Sequence, residues 1–106
     1  MEVNFKDEAL RELYFTGKTK DRKYVKVCRN KKLADGFRKA VDIMRDADVV
    51  SELKYYSFLH YEQLRYNGAS SVRIVNGMVE RLIFTETSNG LEVELIEIDS
   101  THYGSR

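Results

Sequence analysis

Apolar residues recur with helical spacing in the first half of the chain and with strand-like alternation in the second. Leu10, Leu13 and Tyr14 stand at i, i+3 and i+4, which predicts a helix over Lys6 to Phe15, with Gly17 placed to stop it. Leu33, Phe37, Ala40, Val41 and Met44 stand at i, i+4, i+7, i+8 and i+11, a core-facing stripe on a second helix that Asn30 can cap. Between the two, Lys18 to Arg29 reads as a basic connection, partly helical through Tyr24, Val25 and Val27. Val3 to Phe5 suits a short first strand. Asp48 is placed to cap an extra turn containing Val49, Val50 and Leu53.

The second half reads differently. Ser71 to Phe84, SVRIVNGMVERLIF, holds two apolar runs separated by Asn-Gly, a strong hairpin signal. Each run carries one arginine, Arg73 and Arg81. A turn at Ser88-Asn89-Gly90 leads to a last strand in which Leu91, Val93 and Leu95 alternate with Glu92 and Glu94. The alternation slips at Leu95-Ile96, which predicts a bulge there. Before the hairpin lies an irregular aromatic segment, Tyr55, Tyr56, Phe58, Tyr61 and Tyr66, with His60 among them, and Asn67-Gly68 turns the chain into the hairpin. Such rings either pack over a sheet or stack on unpaired bases. The order predicts one α+β domain over residues 1–106. In it, a short N-terminal strand and two to three helices pack on one face of a small antiparallel sheet ending in a three-strand meander. The other face is left for a site.

Composition narrows the class. The chain has 106 residues, 42% of them hydrophobic and 33% charged, enough for one core with a solvated surface. No run is long enough to span a membrane, and MEVNFKDEAL lacks the apolar core of a signal peptide. The single cysteine, Cys28, allows no internal disulfide, and a cytoplasmic location is expected. Net charge is +1, but it is unevenly spread. Lys18 to Lys39 carries +8 (ten basic, two acidic), and Glu80 to Asp99 carries −5 (six acidic, one basic). The basic stretch is either a solvated face or a contact with an anionic surface such as nucleic acid; Lys20, Arg22, Lys23, Lys26, Arg29, Lys31 and Lys32 are its candidates.

No cofactor is expected: the phosphate-cradling glycine motifs are absent, and two histidines and one cysteine do not stand at metal-ligand spacing. Cys28 has no nearby histidine and reads as inert. His60 precedes the hairpin and His102, beside Tyr103, follows the last strand, so a meander brings both toward the arginines. Histidine, arginine and tyrosine together suit metal-independent phosphodiester cleavage. One group takes the proton of a ribose 2′-hydroxyl, the arginines stabilise charge on the phosphate, and another group protonates the leaving 5′-oxygen.

LHYEQLRYNGASSVRIVNGMVERLIF, followed by IEIDSTHY, resembles the RelE/ParE superfamily of bacterial toxins. It is closest to HigB-like killer proteins, with a YoeB-like His-Tyr ending. The similarity covers nearly the whole chain and is most specific from Leu59 to Tyr103. It implies a RelE-like fold and a ribosome-dependent mRNA endonuclease that cuts the codon in the A site and stops translation. It also implies a cognate antitoxin, of the helix-turn-helix HigA-like kind, as partner beside the ribosome. By position, His60 falls in the family's L-H-x(10)-S-V frame, where YoeB-like proteins place a glutamate base. Arg81 matches the phosphate-stabilising arginine and Arg73 a supporting one. His102 matches a general acid, Tyr103 a substrate-orienting ring, and Asp99 an acidic residue near the HigB terminus. ParE-like relatives instead inhibit DNA gyrase and generally lack the histidine and tyrosine constellation; a nonenzymatic binding module with a degenerate site is a third alternative.

The hairpin register separates two geometries. A two-residue Asn76-Gly77 turn would pair Val72 with Arg81 and send Arg73 to the opposite face. An odd-length loop of three or five residues centred on Gly77 would pair Arg73 with Arg81 on one face. The nuclease reading requires the second, so an odd-length loop is predicted.

Overall fold

A computed structural model describes residues 1–64 and 68–100. Five strands form one mixed sheet in the order β1-β5-β4-β3-β2: β1 Glu2–Phe5, β2 Glu62–Gln63, β3 Ser70–Arg73, β4 Arg81–Glu86 and β5 Glu92–Asp99. The helices are α1 Glu8–Thr16, α2 Val25–Arg29 and α3 Lys31–Asp46, with 3₁₀ turns at Arg22–Tyr24, Val50–Tyr55 and Ser57–Leu59. The α+β class is as expected, and β3-β4-β5 are the antiparallel meander. Two strands were unforeseen in their roles. β1 joins the far edge parallel to β5, Glu2 opposite Glu92, and β2 emerges from the aromatic segment to pair with β3.

Local chemistry explains the helices. Asp7 caps α1 by accepting from the Ala9 amide at 2.9 Å, and Gly17 closes it in the left-handed region at φ 80°. Asn30 caps α3 through the amides of Lys32 and Leu33. The expected cap by Asp48 is corrected: the Asp48 amide donates to the Glu52 carboxylate at 2.8 Å, so Glu52 supplies the side chain and the 3₁₀ turn starts later, at Val50.

The core lies between the helices and one sheet face. Leu10, Leu13, Leu33, Phe37, Ala40, Val41 and Met44 meet Val72, Leu82, Phe84, Val93, Leu95 and Ile98, all nearly inaccessible. The β4-β5 register shifts between Ile83, opposite Glu97, and Phe84, opposite Leu95, leaving Ile96 as the extra residue. That bulge lets both Leu95 and Ile98 face inward despite their odd spacing. No helix among the described residues is long and apolar enough to cross a membrane.

Candidate functional site

Strand alternation assigns the second face. Residues paired across strands, and every second residue along one, share a side. β3 pairs Arg73 with Arg81, and β4 pairs Arg81 with Asp99, so the three form a transverse row opposite the core. The next row is Glu62, Ser71, Ile83 and Glu97. The loop between the arginines is odd-length and centred on Gly77, at φ 90°, with Ile74 donating to the Glu80 carbonyl at 3.4 Å and five residues beyond that bond. The two-residue Asn-Gly turn does not form, and both arginines face the same way.

The two arginines differ in surroundings. Arg81 is only 5% exposed. Its Nε donates to Ser71 Oγ at 2.8 Å, and its Nη2 donates to the His60 carbonyl at 2.5 Å and lies 3.4 Å from Glu62 Oε1. Burial is the main force lowering the Arg81 guanidinium from its ordinary value; the charge of Glu62 opposes this and that of Arg73 adds to it. Arg73 is half-buried, and its Nε is buried with no hydrogen-bond partner among the described residues. Of the pair, Arg73 keeps an unmet donor.

His60 is exposed and adopts a left-handed conformation, φ 46° and ψ 51°, the one such non-glycine among the described residues. A backbone of that kind costs about 1 kcal/mol or more and is held by its surroundings. Here the carbonyl is fixed by Arg81, while the ring Nε2 lies 3.2 Å from Asn76 Oδ1 at the hairpin tip. His60 therefore touches both the tip and the β4 arm of the hairpin that carries the arginines. His102 and Tyr103 lie outside the described residues, as do Tyr66 and Asn67.

Three contributors escaped the sequence reading. Glu62 stands on the arginine face, Ser71 holds Arg81 from a fully buried position, and Asn76 orients His60. The acid two residues beyond His60 was the only sequence signal for Glu62. Among the described residues, no group of three or more histidine, cysteine, aspartate and glutamate side chains is placed to hold a metal ion.

The basic candidates all sit on the surface, but not on the arginine face. Lys20 precedes the Arg22–Tyr24 turn, and the others belong to that turn, α2 and the start of α3, on the helix side near the same end of the sheet. Lys26 reaches Glu80 at 4.0 Å, and Tyr24, beside Lys23, bonds Asp7 at 3.2 Å and the Ile98 backbone. Burial first, then the Asp7 charge, pushes the Tyr24 hydroxyl well above its ordinary value. Lys23 and Lys26 are engaged by Asp7 and Glu80 from outside the basic stretch, which reduces the cationic excess inferred from counting, and Lys31 pairs with Asp35 within it. Glu80 is not part of a solvated acidic surface: it is 2% exposed, and its Oε1 has no partner among the described residues.

The aromatic segment divides. Tyr61 packs on Phe84, and its hydroxyl and that of Ser70 both donate to Glu86 at 2.7 Å. Tyr55, Tyr56 and Phe58 remain exposed rather than roofing the sheet. Compared with known protein families and with curated proteins, the chain gives no match at either level, so the site is read from its own geometry.

Proposed function

We propose that this chain has a RelE-like fold and is a HigB-like toxin acting as a ribosome-dependent mRNA endonuclease. The observation that carries the reading is the cross-strand pairing of Arg73 with Arg81 on the face away from the core, with His60 bound to the tip and the β4 arm of their hairpin. Like charges placed directly opposite are unfavourable, and a bound phosphate would turn that cost into attraction.

In the proposed reaction a base removes the proton of the ribose 2′-hydroxyl. The 2′-oxygen bonds to phosphorus, the bond to the 5′-oxygen breaks, and an acid protonates that oxygen, leaving a 2′,3′-cyclic phosphate. We assign the first proton to His60 or Glu62, the two described residues beside Arg81 whose side chains can act as bases. The resemblance assigns the second transfer to His102 and substrate orientation to Tyr103. Arg73, with its unmet donor, meets the phosphate, and Arg81 holds His60 and the face in position. The exposed cations Lys20, Arg22, Lys23, Lys26, Arg29, Lys31 and Lys32 contact ribosomal RNA around the end of the sheet. A helix-turn-helix antitoxin is the expected inhibitor, and the cytoplasm the expected location.

One observation favours the nonenzymatic alternative. The Arg81 guanidinium is engaged through Nε and Nη2 by Ser71, His60 and Glu62, as a structural arginine would be. A translating-ribosome assay with mapped mRNA ends separates the readings. The wild-type chain cuts A-site codons, and Arg73→Ala cuts about 100-fold or more slowly. Intact A-site mRNA with wild-type protein sinks the nuclease reading, and gyrase inhibition in the same extract would establish the ParE-like one.

A further inference from the structure

The exposed rings of Tyr55, Tyr56 and Phe58 have no role in the arginine site, yet they are arranged. Tyr55 is 83% exposed, and Tyr56 and Phe58 about a third. Tyr56 and Phe58 meet edge to face with centroids 5.9 Å apart. The Lys39 ammonium lies 4.8 Å from the Phe58 ring centre, reaching it from α3, and Lys54 lies 5.9 Å from the Tyr61 ring. Neither lysine is in an ion pair among the described residues. Glu52, the acid on the same 3₁₀ turn, is bound to the Asp48 amide.

We infer that Tyr55, Tyr56 and Phe58, with Lys39 and Lys54, form a second contact for single-stranded RNA, the rings stacking on unpaired bases and the ammonium groups meeting adjacent phosphates. Aromatic rings interleaved with cations are what a single strand requires, because every base has a π face and every step carries a negative charge. A docking site for an apolar protein surface would instead present contiguous apolar area. Here Lys54 flanks the rings and Ser57 stands between them, and the ammonium groups of Lys39 and Lys54 are in no ion pair among the described residues. The patch is also close to the proposed active site along the chain. Phe58 and His60 are two residues apart, at most about 7.6 Å between Cα atoms, and the His60 carbonyl is bonded to Arg81.

This inference rests on the RNA-cleaving reading for the identity of its ligand, but its test needs neither ribosome nor cleavage. Fluorescence anisotropy of labelled oligoadenylate is measured against the full chain at low salt, beside a blunt RNA duplex of equal length. Tyr55→Ala and Phe58→Ala are each expected to weaken the single strand about fivefold or more and to leave the duplex unchanged. Lys39→Gln and Lys54→Gln are expected to lower the slope of log affinity against log salt by about one phosphate contact each. Oligodeoxyadenylate is expected to bind alike, since stacking does not read the 2′-hydroxyl. Tyr55→Ala removes a nearly free side chain, so it remains informative if Phe58→Ala unfolds. Unchanged oligonucleotide affinity for Tyr55→Ala overturns the inference, and the accompanying loss of a protein partner would make the patch a protein-docking surface. Ring variants that lose binding while wild type leaves A-site mRNA intact would keep the patch and refute the nuclease; the reverse outcome refutes the patch alone.

Discussion

Gly36 offers a test of how the site is held, because two effects of opposite sign meet there. It lies inside α3, where alanine in place of glycine would ordinarily stabilise by about 0.5–1 kcal/mol. A Cβ at this position, however, would enter the Ile74 carbonyl oxygen, and it would stand 2.8 Å from Val75 Cγ2 and 3.0 Å from the Ile74 carbonyl carbon. The obstacle is backbone, so no rotamer change removes it. Overpacking of this kind costs about 1–3 kcal/mol, and contact with a backbone oxygen belongs at the upper end. The net expectation for Gly36→Ala is a loss of about 1–2 kcal/mol, or roughly 5–15 °C in melting temperature for a domain of this size. Circular dichroism melts of the two proteins measure it. Ile74 directly follows Arg73, so the retreat of the hairpin also displaces that arginine. A-site cleavage should fall more than the folded fraction at the assay temperature explains. A variant that melts above wild type would show that helix propensity wins and that α3 does not seat the hairpin through Gly36.

The other expectations concern charge. Arg73→Gln removes a like charge opposite Arg81, so stability should rise by about 0.2–1 kcal/mol in urea titrations while, under the proposed function, cleavage falls; a loss of stability would mean that Arg73 is structural. Glu80→Gln keeps the shape of a buried side chain and removes a charge whose one ion-pair partner among the described residues is an exposed lysine at 4.0 Å. It should raise stability by about 1 kcal/mol, and a lower urea midpoint would contradict this. Burial raises Asp7, but the bonds from Lys23 and the Ala9 amide outweigh it and hold the carboxyl below its ordinary 3.8. The folded state thus binds that proton less tightly than the unfolded state, and the stabilisation is full above pH 3.8 and lost as pH falls below it. Against Asp7→Asn, which keeps the cap, the wild-type advantage should be constant from pH 7 to 5 and shrink in more acid solution; an advantage that survives at pH 2 would refute the assignment.

What the sequence disclosed was local. The α3 stripe, the Asn30 cap and the Gly17 stop each depend on residues within a few positions, and all appear in the structure. The slip at Leu95-Ile96 was legible because apolar spacing records which side chains must turn inward. The odd hairpin loop was not legible from turn chemistry, which favoured Asn-Gly; it followed only from requiring both arginines on one face. The misses were non-local. A four-residue β1 pairs with β5 across nearly the whole chain, and β2 has two residues, too few for a period to be seen. Glu80 entered the sequence reading only as one charge of an acidic stretch, and its burial beside Lys26 of α2 is a tertiary fact. Glu62 was invisible for a similar reason: its relation to Arg81 exists only once β2 pairs with β3 and β3 with β4.

The same pairing supplies the strongest physical argument about this face. A fold needs neither arginine there. Threonine or valine at 73 and 81 would suit a sheet better and would remove a cross-strand repulsion. Instead the chain spends Ser71, the His60 carbonyl and Glu62 on holding Arg81 in place, and it holds His60 in a left-handed backbone while doing so. Arg73 remains opposite, with one donor unmet. Local rules are broken at three neighbouring points, and none of the three contributes to the core on the other side of the sheet. Such a concentration of unfavourable choices is expected where an anion binds, since a ligand bearing two negative oxygens would satisfy the free donor and offset the repulsion together. If the arrangement were merely structural, Arg73→Gln would leave every measurable activity untouched. If it serves a phosphate, that substitution separates stability from function, raising the first and lowering the second.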